Sequence, residues 1–205
     1  MTSKPKIALI ISSTRAARWA DKPAQWALQK MRERDDIDVE LVDLRDFDLP
    51  FFDEVASNMY VPSQDPRAVR WQQAVAGFDG YVFLVAEYNR SITGALKNAL
   101  DQDYVGWGRK PMGAIGYGSV GAARAIEQLR LMAVELQMVP VRAGVHIGGS
   151  DFFRVSAYNP NPEPMEALDG ILAGSLGEML GQVAWYARVL KQGRDEDAEA
   201  ARQAA

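Results

Sequence analysis

Residues 7–11 read Ile-Ala-Leu-Ile-Ile, a short apolar run rich in β-branched residues and without a polar face. A strand of that kind must be covered on both sides, as in the interior of a parallel sheet with helices packed above and below it. The run ends abruptly in Ser12, Ser13, Thr14 and Arg15, and from Trp19 the pattern turns helical through Pro23, Trp26, Ala27 and Met31. The hydroxyls and Arg15 therefore occupy a strand-to-helix turn. In an open α/β sheet such turns gather at the carboxyl ends of the strands, where ligands bind. The first N–H groups of a helix there are free donors with partial positive charge. With three hydroxyls and the cations Arg15 and Arg18 added, this turn has the chemistry of a phosphate site.

The same alternation continues along the chain and predicts an α/β fold with a parallel sheet. Strands are expected over residues 6–12, 39–43, 80–86, 111–117 and 139–147. Helices are expected over 19–34, 66–77, 92–102, 121–137 and 165–191. Residues 47–65 form a long connection carrying Phe51, Phe52, Met59 and Tyr60, and its aromatic content predicts an ordered lid or interface arm. Residues 148–164 read as a polar, proline-punctuated loop. In the last helix Gly174, Gly177 and Gly181 lie among apolar residues. Each costs about 1 kcal/mol relative to alanine, which predicts close approach by another backbone, and the helix is expected to pack on its own sheet and to meet a second subunit. One domain is expected over residues 1–191, followed by a charged, fraying tail over 192–205.

Composition narrows the function. A chain of 205 residues with 48% apolar content suits a single well-filled domain. A net charge of −4 lacks the basic surplus of a nucleic-acid binder. No apolar run reaches membrane-spanning length and the start carries no signal-peptide pattern, so a cytoplasmic protein is expected. With no cysteine, disulfides, thiolate metal sites and cysteine catalysis are excluded, and a histidine-based metal site or triad would rest on His146 alone. No metal is expected.

Three turns, over residues 12–18, 87–91 and 118–121, should open on one edge of the sheet. The middle one is the most specific. Glu87-Tyr88-Asn89, followed by Leu96-Lys97-Asn98-Ala99-Leu100-Asp101, resembles the Pro-Glu-Tyr-Asn…Leu-Lys-Asn-Ala-x-Asp signature of the NAD(P)H-dependent FMN reductases, a flavodoxin-like family. Ser13-Thr14-Arg15 resembles that family's phosphate loop, Leu49-Pro50-Phe51-Phe52-Asp53-Glu54 the stretch after its second strand, and Gly118-Ser119-Val120-Gly121-Ala122-Ala123-Arg124 its third loop. The resemblance runs from about residue 6 to residue 147. It implies a doubly wound, three-layer fold with a five-stranded parallel sheet of order 2-1-3-4-5.

The resemblance also implies bound FMN, with NADPH or NADH as co-substrate and a small-molecule electron acceptor such as a quinone, azo compound or flavin. It implies a homodimer or homotetramer. Carried over residue by residue, the cofactor site comprises Ser13, Thr14, Arg15, Arg18, Trp19 and Ala20 from the first turn. The second turn contributes Ala86, Glu87, Tyr88, Asn89 and Ser91, and the third Gly118, Ser119 and Gly121. The phosphate suits the first turn, and the ring edge suits the backbone of the other two with the Asn89 side chain. The redox chemistry belongs to the cofactor, so no catalytic side chain is named. Three positions depart from the family pattern: Ala86 stands where it has proline, Ser12 where it has glycine, and Arg18 where a small or hydroxylated residue is usual.

Other readings compete. Gly116-x-Gly118-x-x-Gly121 matches a dinucleotide fingerprint formally, but it follows the fourth strand, and no acid appears until Asp151. His146 reads as a structural residue at a strand end, and Lys97, Asn98, Asp101 and Arg124 as structural pairing or an intersubunit contact. Trp19 and Trp26 read as core or rim packing. Tyr88 either stacks near the ring or fills its turn. The alternative function is a flavodoxin-like electron carrier or flavin-binding regulator without reductase turnover.

Overall fold

The computed structural model describes residues 3–204; Met1, Thr2 and Ala205 lie outside it. Strand β1 (Lys6–Ile11) is flanked by β2 (Asp38–Asp43) and β3 (Gly80–Ala86), both parallel to it, with Ile7 opposite Val39 on one side and Gly80 on the other. β4 (Pro111–Tyr117) continues beyond β3, giving the order β2-β1-β3-β4-β5. Successive side chains of β1 and β3 go to opposite layers, as the two-residue period of a strand requires. Ile7, Leu9, Ile11, Val82, Leu84 and Ala86 face α1 (Asp21–Arg32) and the last helix. Ala8, Ile10, Tyr81, Phe83 and Val85 face α2 (Pro66–Ala76), α3 (Gly94–Asp101) and α4 (Ala123–Glu135). All seven residues of β3 are buried. Each large apolar side chain buried this way contributes about 1.5–3 kcal/mol, so a strand apolar on both faces is stable only at the centre of such a stack.

Three expectations need correction. Residues 139–147 form two short strands, β5 (Val139–Pro140) and β6 (Val145–Ile147), both paired with β4. Pro140 has no N–H to continue the ladder, and the Ala143 N–H turns to the Gln182 carboxamide at 3.1 Å. The segment read as a loop over 148–164 contains helix α5 (Gly149–Val155), which buries Val155. The last helix, α6 (Asp169–Ala204), continues through the segment expected to fray. Its charges are used: Arg194 pairs with Asp79 at 2.6 Å and donates to the Arg109 carbonyl at 2.7 Å, while Arg109 pairs with Asp197. The end of the helix thus clasps the amino-terminal edge of the sheet. The α6 glycines face open space, and among the described residues no other segment's backbone approaches them closely.

The 47–65 segment has no helix or strand, yet it is tied down as expected of an ordered arm. Asn98 donates to the Pro50 carbonyl at 2.7 Å and accepts from the Phe52 N–H at 2.9 Å, and Gln102 also donates to Pro50 at 2.7 Å. Asn58 donates to Asp103 at 2.6 Å and accepts from the Tyr104 N–H at 2.9 Å. Asn98 is therefore structural, as is Lys97, which pairs with Asp101.

Candidate functional site

The carboxyl edge of the sheet brings the three turns together. In the first, Ser12 is fully buried and its hydroxyl donates downward to the Leu84 carbonyl at 2.5 Å, while Thr93 donates to the Ser12 carbonyl at 3.0 Å. The expected Ser12 donor is thus directed into β3 and away from the cleft. Beyond it the chain rises to the surface. Among the described residues, no group accepts the N–H of Thr14, Arg15, Ala16 or Ala17. The N-cap position of α1 is Ala20, which supplies no side-chain cap. A run of free donors beside an uncapped helix start is an anion cradle.

Arg15 belongs to this run. Its guanidinium donates to the Tyr88 hydroxyl and stands 5.7 Å from the centre of that ring, joining the first turn to the second. The Tyr88 bond, with the nearby Tyr88, Tyr158 and Tyr117 hydroxyls, holds its pKa above the ordinary arginine value.

Arg18 is brought to the same turn but turned inward. It donates to Asp43 at 2.6 and 2.7 Å, to the Ser13 carbonyl at 2.9 Å and also to Asp21, so its charge is spent on this chain's own acids. Burial works against that charge, but the Asp43 and Asp21 hydrogen bonds outweigh it and raise the pKa. Asp43 mirrors this. Burial favours its neutral form, yet hydrogen bonds from Arg18 and Arg45 bring it down to about 2. The geometry gives Arg18 the role of locking the turn against β2, in place of the expected phosphate contact.

The second turn leaves β3 at Ala86, which pairs with Tyr117. Tyr88 and Ser91 exchange both backbone hydrogen bonds at 3.0 Å, with Asn89 and Arg90 at φ of 50° and 68° between them. That is a two-residue hairpin with left-handed central residues. Asparagine adopts this region readily and arginine does so at a cost, so the turn is a strained feature at the cleft. It presents Tyr88 and Asn89 to solvent.

The third turn follows β4. A Cβ at Gly116 would stand 2.3 Å from the Gly121 carbonyl oxygen, so only glycine lets the loop fold back over the strand. Gly121 and Ala122 are left-handed, at φ of 61° and 54°. His146 Nδ1 lies 3.0 Å from the Gly121 carbonyl, and the Gly149 N–H donates to Ser119 at 3.0 Å. His146 is a structural support of this loop.

A cluster of aromatic rings packs beside the first turn. Trp19 packs edge-on against Tyr117 at 5.2 Å and Phe152 at 5.1 Å, and Phe152 meets Tyr158 at 6.1 Å. Burial pushes the Tyr117 phenol above its usual pKa, with Tyr88 adding to the rise. Sequence reasoning missed Tyr117, Phe152 and Tyr158. Tyr117 ends a strand, where an aromatic reads as core, and the other two lie in the segment read as loop. A helical spacing of Phe152 and Val155 was the available signal.

These residues suit a flavin mononucleotide. The cradle and Arg15 match a phosphate, the glycine-containing third turn allows close approach of a flat ring, and the acids beneath the first turn are neutralised by Arg18 and Arg45.

The model of the NADPH-dependent FMN reductase family matches residues 5–151. The chain belongs to that family. An NAD(P)H-dependent FMN reductase of Nectria sp, ntnL, is 38% identical over 130 residues, covering 60% of this chain and 65% of its own length. The Schizosaccharomyces pombe NAD(P)H-dependent FMN reductase C4B3.06c is 34% identical over 137 residues, covering 65% of this chain and 68% of its own. A 2-hydroxy-1,4-benzoquinone reductase of Burkholderia sp is 36% identical over 105 residues, 46% of this chain and 57% of that one. The chain thus spans roughly two thirds or less of these relatives.

Among solved structures, the Paracoccus denitrificans flavoenzyme FerB superposes with a TM-score of 0.59 at 22% identity, covering 92% of this chain and 98% of that one. RosB superposes with a TM-score of 0.66 at 14% identity, covering 98% and 88%. Both establish the flavodoxin-like fold. The family match spans all three turns of the site, so membership and cleft geometry bear on the same residues.

Proposed function

We propose that this protein is an NAD(P)H-dependent FMN reductase that passes reducing equivalents to a small acceptor, with a quinone as the first to test. The observation that carries the reading is the run of free N–H donors at Thr14–Ala17, with the Arg15 guanidinium joined to the turn at Tyr88. Thr14 and Arg15 would hold the phosphate, with Ser13 beside them. Trp19 and Ala20 support the cradle from below. Backbone groups of Glu87, Tyr88, Asn89 and Ser91, where β3 ends at Ala86, would line one edge of the ring. Gly118, Ser119 and Gly121 would line the other. Bound FMN supplies hydride acceptance from NADPH or NADH and donation to the acceptor. The protein's own part is to bind, orient and shield. The name of the Burkholderia relative supports a quinone acceptor.

The same reading includes assembly into a dimer or tetramer. It is supported by the arm, where Phe51, Val55, Met59 and Tyr60 are exposed, and by Trp185 on the outer face of α6. A cytoplasmic location, where both nicotinamide reductants are available, belongs to this proposal.

The deciding experiment is the visible spectrum of the purified protein after incubation with FMN and desalting, followed by anaerobic addition of NADPH or NADH. The expected result is a retained yellow chromophore that bleaches with the nucleotide and recovers with a benzoquinone. A colourless protein overturns the cofactor reading. A yellow one that neither nucleotide bleaches overturns the reductase reading.

A further inference from the structure

Helix α4 has no cap of its own. Its N-cap residue Ala122 is left-handed and has no side-chain oxygen to offer, and its first turn contains no acid. Such a start leaves N–H donors and partial positive charge uncovered. A carboxylate from the second turn takes one of them. Glu87 accepts from the Ala125 N–H at 3.4 Å and from Arg124 Nε at 2.5 Å, with Arg124 Nη2 closing the ion pair. The Glu87 side chain is only 7% exposed, while that of Arg124 is 42% exposed. One buried carboxylate therefore ties the second turn to the start of α4, directly after the third turn, and its charge is balanced by a cation of that helix. Other groups that fix the third turn are the His146 ring and the Gly149 N–H. Neither brings a formal charge pair to it.

We propose that Glu87 and Arg124 are a positioning pair that sets the spacing of the two ring-edge turns and the electrostatic field between them. This rests on the flavin reading above. Neither residue touches the ring through its charged group; each acts through the loop it holds and the charge it leaves at the cleft. Reduced flavin carries negative charge on its ring that oxidised flavin lacks. Removing the Glu87 charge leaves Arg124 unbalanced, which favours the reduced form. Removing the Arg124 charge leaves Glu87 unbalanced, which favours the oxidised form. A purely structural role would move both variants in the same direction.

The test uses the full chain loaded with FMN and compares Glu87→Gln, Arg124→Gln, the double variant and Arg124→Lys. The readout is the midpoint potential of bound against free FMN, which gives the ratio of affinities for oxidised and reduced flavin. Glu87→Gln is expected to shift that ratio toward reduced flavin by about two- to tenfold, the span of one partly screened unit charge. Arg124→Gln is expected to shift it toward oxidised flavin by a similar factor, and the double variant to return near the parent. Arg124→Lys keeps the charge and loses the two-pronged contact. It should weaken both forms equally and leave the ratio unchanged, which keeps the proposal testable if Arg124→Gln does not fold. Shifts of the same sign in Glu87→Gln and Arg124→Gln, a double variant displaced from the parent, or a lysine variant that shifts the ratio would each overturn the pair's role. Failure of the unaltered protein to retain FMN would instead overturn the flavin reading itself.

Discussion

At the scale of single residues, the two arginines of the first turn have opposite fates. Arg15 is exposed and, among the described residues, its guanidinium hydrogen-bonds to Tyr88 alone, so it remains available to an anion, whereas Arg18 is buried among acids. Arg15→Ala should weaken FMN binding by about 1.5–3 kcal/mol, the worth of one charge-assisted hydrogen bond. Fluorescence titration of FMN measures this, and unchanged affinity would put the phosphate elsewhere. Asp43 gives a pH prediction. Its carboxyl is lowered to about 2 in the folded chain, against an ordinary value near 4. A depressed folded-state pKa contributes stability that is present above the unfolded pKa and is lost as pH falls through the folded one. The contribution is about 2 kcal/mol and should disappear between about pH 4 and pH 2. Chemical unfolding of the parent and Asp43→Asn across that range should show a flatter acid limb in the variant; parallel limbs would remove Asp43 from the account.

At the scale of elements, the arm and the end of α6 show polar side chains ordering segments whose hydrophobic pattern is weak. Asn98 lies in a helix and reads as structural, but its partners 46 and 48 positions upstream carry no periodicity that announces them. Asn98→Ala leaves the Phe52 N–H without its acceptor and Pro50 with only Gln102. The cost should be about 1–3 kcal/mol, and limited proteolysis should gain a cut between residues 51 and 65. A resistant arm would mean that Gln102, Asn58 and Asp103 suffice to hold it. The α6 clasp makes a parallel case. Arg194→Ala should cost about 1.5–3 kcal/mol in thermal unfolding, because Arg194 and Asp79 are both largely shielded from solvent. No loss would return the tail to a solvated extension.

At the scale of the whole molecule, the exposed arm and the outward glycine face of α6 remain as surface. Light scattering behind gel filtration should find a dimer or larger species, and a clean monomer would refute assembly. What the sequence by itself determined is the sheet. Runs apolar on both faces can be satisfied only by two covering layers, so the layering and the shared edge of the three turns followed from pattern, while the strand order came with the resemblance that the motifs carry. Burial is a property each residue announces locally. The tertiary structure alone decided which charges are free. Whether Arg18 binds a ligand or an acid, whether Glu87 faces solvent or caps α4, and whether the tail frays or clasps all depend on partners far away in sequence. The energy of a charge is set by what surrounds it, and those surroundings exist only once the chain has folded.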